Sequence, residues 1–213
     1  MAKVKPYRKP QRDRFLQPEE LPRVFDLLQD ESLVENGFDE TFRDYIFLLL
    51  FTGARKSNLL SMCWDNISLE RAEWTIPGEQ TKSGDTITIP LCSHAVEILR
   101  KRREWVTGNW VFPNRKGNGP MYEPRRDWRH FRVVAGIPDV TIHDLRRTRG
   151  SWMAITGASL PVIARALGHR LERSSVTAVY ARLNNQPVRE EIEKAVRQMR
   201  ESAKLDEHSQ CKI

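Results

Sequence analysis

Helical hydrophobic periodicity runs through most of this chain and is interrupted once, between residues 66 and 89. In that interval, three short runs rich in β-branched or aromatic residues are separated by turn residues, a pattern typical of an antiparallel sheet. Residues 82–85 fall between the last two runs and are predicted to form a hairpin tip. The predicted fold is therefore mainly α-helical with a small three-stranded antiparallel sheet. The predicted strands cover residues 66–69, 73–76 and 86–89.

Helices are predicted on both sides of this sheet from apolar periodicity and from residues that suit helix ends. Pro18 followed by two glutamates suits a helix start, whereas Gly53 suits a helix end. The last predicted helix is amphipathic, and the polar tail after it is predicted to be disordered. The predicted helices cover residues 18–29, 40–51, 57–62, 92–105, 124–135, 143–156, 160–167, 174–181 and 188–203.

Composition indicates an ordinary globular protein, because 39% of its 213 residues are hydrophobic. The longest apolar run, residues 45–51, is too short to span a bilayer, and no signal segment opens the chain. We therefore expect a soluble, intracellular protein with no membrane partner. Cys63, Cys92 and Cys211 show neither a pairing pattern nor metal-site spacing, and are expected to be reduced thiols.

Positive charge favours a polyanionic partner, since the chain carries a net charge of +7. The stretch between residues 100 and 132 contains ten basic residues, Arg102 among them, and only three acidic residues. A solvated helix face usually mixes both signs, so this excess favours phosphate contact. Such contacts set position and affinity and do not select sequence. The candidates for DNA phosphate binding are Arg115, Lys116, Arg125, Arg126 and Arg147.

Five short signals are candidates for chemistry, although each has a simpler explanation when taken alone. Arginines at helix ends, lysines on turns and histidines near helix starts are commonly capping or surface residues. His143 and Arg146 are three residues apart and therefore share one face of a helix. The five signals are Thr52-Gly53-Ala54-Arg55, Lys82, His143-Asp144-Leu145-Arg146, Leu167-Gly168-His169, and Thr177 with Tyr180.

Together, these residue types suit phosphoryl transfer at a DNA backbone, where catalysis is mostly positioning and electrostatic stabilisation. Arg55 and Arg146 each offer a permanent charge and a planar fork of donors. Tyrosine has a pKa near ~10, so only roughly 0.1% is phenolate at pH 7. Tyr180 therefore needs a base such as His143, and Lys82 could protonate the leaving 5′ oxygen. No acidic cluster with metal-ligand spacing lies nearby, so neither a metal nor a cofactor is expected.

The combined set resembles the tyrosine recombinases, or phage integrase family, over roughly residues 15–183. The resemblance implies a mainly helical fold with a three-stranded sheet. It also implies site-specific DNA cleavage and rejoining through a 3′-phosphotyrosine, by way of a Holliday junction. The roles it implies are nucleophile for Tyr180, phosphate binding for Arg55 and Arg146, general acid for Lys82, base for His143, and transition-state hydrogen-bond donor for His169.

The resemblance also predicts location, domains and partners. It implies a cytoplasmic, nucleoid-associated protein of prokaryotic or phage origin. Residues 1–14 are expected to be a basic linker or arm, residues 15–187 the catalytic domain, residues 188–204 a C-terminal helix, and residues 205–213 a tail. The expected partner is double-stranded DNA, bound by a homo-tetramer that exchanges the C-terminal helix, with possible accessory DNA-bending proteins. Packing of this helix on its own domain is an equally open alternative.

Three departures from the family pattern bear on function. Asn58 stands where the family often has an acidic residue, which weakens the expected carboxylate partner of Arg55. His169 and Tyr180 are eleven residues apart, about two more than the common spacing, which predicts a longer loop. The helical domain that usually precedes this region is missing, so we favour a fragment over a short natural relative and expect weak DNA binding by the chain alone.

Two rival functions stay open. A type IB topoisomerase uses a similar set of cations with a tyrosine, although the sequence motifs around Gly168 and Arg146 favour a recombinase. A DNA-binding regulatory module with an impaired active site is the second rival, since Asn58 and the longer loop could both weaken catalysis.

Overall fold

The computed structural model describes residues 13–81, 83–168 and 185–205. Within them it confirms a mainly helical fold with one three-stranded antiparallel sheet in the order β1-β2-β3. The predicted helix at residues 174–181, the C-terminal tail and most of the N-terminal arm lie outside the described residues. The elements are α1 (Leu21–Leu27), α2 (Asp30–Glu35), α3 (Glu40–Thr52), α4 (Lys56–Leu60), β1 (Ile67–Ser68), β2 (Glu73–Ile76), β3 (Ile87–Pro90), α5 (Ser93–Trp105), α6 (Arg125–Val134), α7 (Ile142–Ile155), α8 (Leu160–Ala166) and α9 (Asn185–Leu205).

The sheet follows the prediction closely, and β2 and β3 are antiparallel neighbours as predicted. β2 has the predicted bounds, and its Trp74 pairs with Ile67 on one side and Ile89 on the other. β2 and β3 are joined by residues 77–86, which include a 3₁₀ turn at Gly78–Gln80. The connection is one residue longer than the predicted one, which covered residues 77–85, and the predicted hairpin tip includes Lys82, which lies outside the described residues.

The first predicted helix is wrong in detail, because residues 18–29 do not form one continuous helix. They begin with a 3₁₀ turn at Pro18–Glu20 and continue as α1, which ends at Leu27. A further helix, α2, follows and was not predicted; its capping residue is Gln29, which has an extended backbone. The change from helical to extended backbone at this residue separates the two helices.

The core lies between α3, α7 and α9. Helix α3 packs against both α5 and α7, and α9 packs against α1, α7 and α8 of the same chain. The segment before α1 is held to α7, because the Leu16 amide donates to the Thr148 hydroxyl at 2.9 Å and Trp152 Nε1 donates to the Leu16 carbonyl at 3.2 Å. Helix α7 is therefore fixed from several sides. Among the described helices, none is both long and apolar enough to cross a membrane.

Arg102 is buried and does not belong to the basic surface to which the sequence analysis assigned it. Its side chain is 1% exposed and donates to Asp44 Oδ2 at 2.9 Å. It also donates to the Val111 carbonyl at 3.0 Å and 3.3 Å, and its guanidinium lies over the rings of Trp105 and Phe112. Arg102 therefore joins α5 to α3 and cannot reach a DNA phosphate.

We expect Arg102→Met to destabilise the fold strongly. The substitution leaves the buried carboxylate of Asp44 without its main partner, and breaking such a pair from one side costs roughly 3 kcal/mol or more. Urea unfolding followed by circular dichroism measures the change. Arg115→Met is the control, because Arg115 is exposed and should shift the free energy of unfolding by no more than about 0.5 kcal/mol. Equal stability of the two variants would contradict this account of the pair.

Candidate active site

Arg146 brings three of the sequence signals together. It lies on α7 with 7% of its surface exposed. Its Nη1 donates to the Gly53 carbonyl at 2.5 Å, and its Nη2 donates to the Leu167 carbonyl at 2.6 Å. One side chain therefore joins the turn before Arg55, the first turns of α7 and the turn that ends α8.

Gly53 is required for this close approach. It ends α3 with φ of 63°, a left-handed backbone that favours glycine. A Cβ at this position would lie 2.7 Å from Leu167 Cδ2 and 2.8 Å from Arg149 Cγ. The turn can therefore pack on α7 and on the end of α8 only because residue 53 has no side chain.

Arg55 is held at the start of α4 by this turn and is half-buried. Among the described residues, its guanidinium has no hydrogen-bonding partner. Asn58, three residues after Arg55, is buried. Among the described residues, its Oδ1 accepts a hydrogen bond from the Ser57 hydroxyl at 3.3 Å. Arg55 thus has no carboxylate partner in the described part of the chain, as the departure at Asn58 predicts, and its donors are available to a ligand.

Positive charge accumulates around these residues. Burial, together with the nearby charge of Arg55, lowers the pKa of Arg146 to about 10. Arg146 stays protonated at neutral pH, so two charged guanidinium groups lie near one another, and neither has a carboxylate hydrogen-bond partner among the described residues. An arrangement of this kind is stabilised when an anion binds between the cations.

His143 lies in the first turn of α7, at the edge of this cluster, and is exposed. Partial desolvation lowers its pKa below the ordinary 6.5, and the charges of Arg147, Arg146 and Arg55 add to the effect, while Asp144 opposes it. The imidazole is therefore mostly neutral near pH 7. A neutral imidazole can accept a proton, which is what a general base requires.

Asp144 fixes the start of α7, so that His143 and Arg146 point from a rigid element. Its Oδ2 accepts from the Thr141 amide at 2.8 Å and from the Thr141 hydroxyl at 2.7 Å, which forms a capping box. Its Oδ1 accepts from Arg147 Nη1 at 2.5 Å. The candidate phosphate ligand Arg147 is therefore paired, yet its charge still acts on His143.

Glu123 connects the rim of the site to α6. It accepts from Lys56 Nζ at 2.7 Å and from Arg125 Nε at 3.1 Å. This bridge ties the start of α6, where Arg125 and Arg126 are exposed, to Lys56 at the start of α4, the residue after Arg55. The other two predicted phosphate ligands, Arg115 and Lys116, are exposed, and no contact among the described residues ties them to the site.

The end of α8 also lies against the sheet. Gly168 has φ of 62°, and a Cβ there would come within 2.9 Å of Ile87 Cγ2. The described part of the Leu167-Gly168-His169 signal is thus next to the start of β3, where the connection that carries Lys82 ends. Lys82, His169 and Tyr180 themselves lie outside the described residues, so their predicted places in the site stay predictions.

Metal ligands do not gather at the site. Across residues 13–81, 83–168 and 185–205, no group of three or more His, Cys, Asp or Glu side chains is positioned to hold a metal ion. The hydrogen-bond donors of Arg55 and Arg146 instead suit an anion with several oxygen atoms.

Sequence reasoning did not identify several residues that build the site. The carbonyls of Gly53 and Leu167 were missed as acceptors, because a backbone acceptor carries no sequence signal. Glu123 was counted only as an opposing charge. The Thr141-x-x-Asp144 spacing, by contrast, is that of a capping box and could have been found.

Comparison with known proteins identifies the family. The model of the phage integrase family matches residues 14–187, so the chain belongs to that family, the tyrosine recombinases. The integrase of Salmonella phage P22 is 30% identical over 173 residues, which are 74% of this chain and 41% of that protein. This chain thus spans about two fifths of its curated relative.

Solved structures show the same fold. The integrase from mycobacterium phage Brujita superposes with a TM-score of 0.64 at 20% identity, over 91% of this chain and 61% of that one. A lambda integrase (75–356) dimer bound to a COC′ core site superposes with a TM-score of 0.56 at 19% identity, over 78% of this chain and 62% of that one. At these identities, the likeness establishes the fold.

Proposed function

We propose that this chain is the catalytic domain of a site-specific recombinase that cuts and rejoins DNA strands through a 3′-phosphotyrosyl intermediate. The observation that carries the proposal is the double hydrogen bond from Arg146 to Gly53 and Leu167. These bonds bring three separate sequence motifs together at Arg55 and Arg146. The two guanidinium groups have no carboxylate partner among the described residues, so they suit a backbone phosphate.

Each residue has a proposed role in this reaction. Arg55 and Arg146 bind the non-bridging oxygens, and the N–H donors of Arg146 that do not hold the two carbonyls are available for this purpose. The hydroxyl of Tyr180 attacks phosphorus, while the neutral imidazole of His143 takes its proton. Lys82 protonates the 5′ oxygen as the P–O bond breaks. His169 donates a hydrogen bond to the transition state.

Double-stranded DNA is the proposed partner. The support is the pair of exposed arginines, Arg125 and Arg126, at the start of α6, which Glu123 ties to the start of α4, together with the fold shared with a lambda integrase that was solved on a core site. Arg115, Lys116 and Arg147 are proposed as further phosphate contacts. A homo-tetramer on DNA that exchanges the C-terminal helix is proposed from the family alone, and in the single chain α9 packs on its own domain.

A nicked suicide duplex tests the proposal. In such a duplex, the cleaved strand carries a nick a short distance 3′ of the cleavage point. After cleavage, the short fragment with the free 5′-hydroxyl diffuses away, so rejoining is prevented and the covalent complex accumulates. The chain is incubated with such duplexes drawn from the DNA on either side of its gene, and adducts are resolved on a denaturing gel. We expect an adduct whose DNA-linked peptide contains Tyr180. Binding without an adduct on any duplex would support a regulatory module, and efficient relaxation of supercoils lacking these sequences would support a topoisomerase.

The pH dependence of cleavage should report the protonation state of His143. Since its pKa lies below 6.5 and the neutral form is active, the second-order rate constant at sub-saturating DNA should be on a plateau at pH 7 and fall as the pH drops below 6.5. Single-turnover adduct formation between pH 5 and pH 8, about the useful range for an imidazole, measures the profile. His143→Gln should remove the acid limb, whereas His130→Gln, a change at an exposed histidine of α6, should keep it. An unchanged limb in His143→Gln would refute this base assignment.

A further inference from the structure

Arg149 is a fully buried arginine that donates to no carboxylate among the described residues. It is 0% exposed, and within that part of the chain its hydrogen bond runs from Nη1 to the Ile192 carbonyl at 3.4 Å. Its Nε and Nη2 atoms have no hydrogen-bond partner among the described residues. Burial lowers its pKa to about 10, so it stays charged at neutral pH. The similarly buried Arg102, by contrast, has both Asp44 and a carbonyl as acceptors.

An arginine placed in this way is costly for stability. Replacing a poorly compensated buried charge by an apolar side chain of similar volume is often neutral or stabilising. Burial of a cation at this position is therefore not explained by the stability of the fold. Positions where local chemistry conflicts with stability are those where a functional role is expected.

The stem of Arg149 supports the turn that carries Arg55. Its Cβ and Cγ atoms lie so close to Gly53 that a Cβ there would be 3.2 Å and 2.8 Å from them. Arg149 also lies on α7 one turn after Arg146, whose Nη1 binds the carbonyl of the same glycine. Gly53 is thus held between two arginines of α7, one by packing and one by a hydrogen bond.

The head of Arg149 faces α9. Besides the Ile192 carbonyl, two nearby groups oppose the effect of burial on the pKa of Arg149, Cys92 before α5 and, to a smaller extent, Glu193 on α9. Glu193 is itself fixed, because it accepts from the Ser93 amide at 2.5 Å and from the Ser93 hydroxyl at 3.0 Å, at the first turn of α5. The hydrogen bond that Arg149 donates among the described residues therefore goes to α9, and Glu193 of the same helix lies close to its guanidinium.

We propose that Arg149 is a positioning residue that couples the docking of α9 to the geometry of the Gly53–Arg55 turn. With α9 docked, Ile192 and Glu193 hold the guanidinium, and the stem then presses on Gly53 and keeps Arg55 beside Arg146. Without the cation, α9 still packs through its apolar face, but that packing no longer acts on the turn. The proposal rests on the proposed function only for its effect on cleavage, because the coupling itself concerns the fold.

Arg149→Met tests the coupling, since methionine keeps a stem against Gly53 and removes the charge. We expect an unfolding temperature equal to or above that of the unaltered chain. Hydrogen exchange of the peptide that contains residues 53–58 should accelerate about five- to tenfold, the size of a modest coupling between sites, with no change in residues 125–134. The first-order rate of adduct formation at saturating DNA should fall by a similar factor, while DNA affinity is unchanged. Arg149→Lys should restore part of both effects.

Arg102→Met is the matched control, because it also removes a fully buried arginine. It should lower the unfolding temperature and accelerate exchange in both peptides alike, without a selective effect on residues 53–58. If Arg149→Met behaves in this way, or leaves the exchange of residues 53–58 unchanged, the proposal is overturned and Arg149 is only a structural residue.

Glu193→Gln provides an independent test if Arg149→Met fails to fold. It should accelerate exchange of residues 53–58 selectively, and unchanged exchange there would overturn the coupling. The two proposals can also fail separately. If the unaltered chain forms no adduct on any duplex, the proposed function fails, yet hydrogen exchange still decides the role of Arg149.

Discussion

Tyr180→Phe should abolish covalent attachment of the chain to DNA. Phenylalanine keeps the ring but lacks the hydroxyl that forms the phosphate ester, so the first chemical step has no nucleophile. DNA binding should be unchanged, because it depends on the arginines and lysines around the phosphate. End-labelled nicked duplex, incubated with the variant and resolved on a denaturing gel, should show no adduct at any time.

Tyr122→Phe is the matched control for this experiment. Tyr122 is 84% exposed on the segment before α6, and loss of its hydroxyl should leave the adduct at the level of the unaltered chain. An adduct that persists at full yield in Tyr180→Phe would show that another residue attacks the phosphate, and the assignment of the nucleophile would be wrong.

Arg146→Lys should lower the rate of adduct formation by about 10² to 10³, as expected when a donor to a developing oxyanion is removed. Lysine keeps the positive charge, but its point charge cannot hold two carbonyls and a phosphate at once. The carbonyls of Gly53 and Leu167 lose a buried donor, so the free energy of unfolding should also fall, by about 1–3 kcal/mol. Single-turnover kinetics and urea unfolding measure the two effects.

Arg126→Lys is the control for Arg146→Lys, because Arg126 is exposed at the start of α6. It should weaken DNA binding slightly without changing the rate at saturating DNA or the stability. Adduct formation by Arg146→Lys at the unaltered rate would contradict the proposed phosphate site.

Much of the fold could be predicted because local sequence determines it. β2 was predicted with its observed bounds, since it is a short β-branched and aromatic run between turn residues. The end of α3 was predicted within one residue, because the left-handed backbone at its end requires glycine. The start of α6 was also predicted within one residue, at Pro124.

The remainder depends on contacts between distant residues, which periodicity does not record. Arg102 lies in a basic run, so its charge suggested a surface position, whereas its partner Asp44 is 58 residues away. The acceptors of Arg146 are backbone carbonyls, which every residue possesses. The conflict at Arg149 is visible only when the packing of Gly53 and α9 against it is known.

The two hydrogen bonds of Arg146 also determine when the candidate phosphate site can form during folding. They join positions separated by 93 and 21 residues along the chain, so the longer closure depends on docking of α3 against α7. Contacts of long sequence separation form late because loop closure costs entropy. A nascent or partly unfolded chain would therefore have Arg55 and Arg146 far apart, and we expect the site to be absent from such intermediates until the native structure is complete.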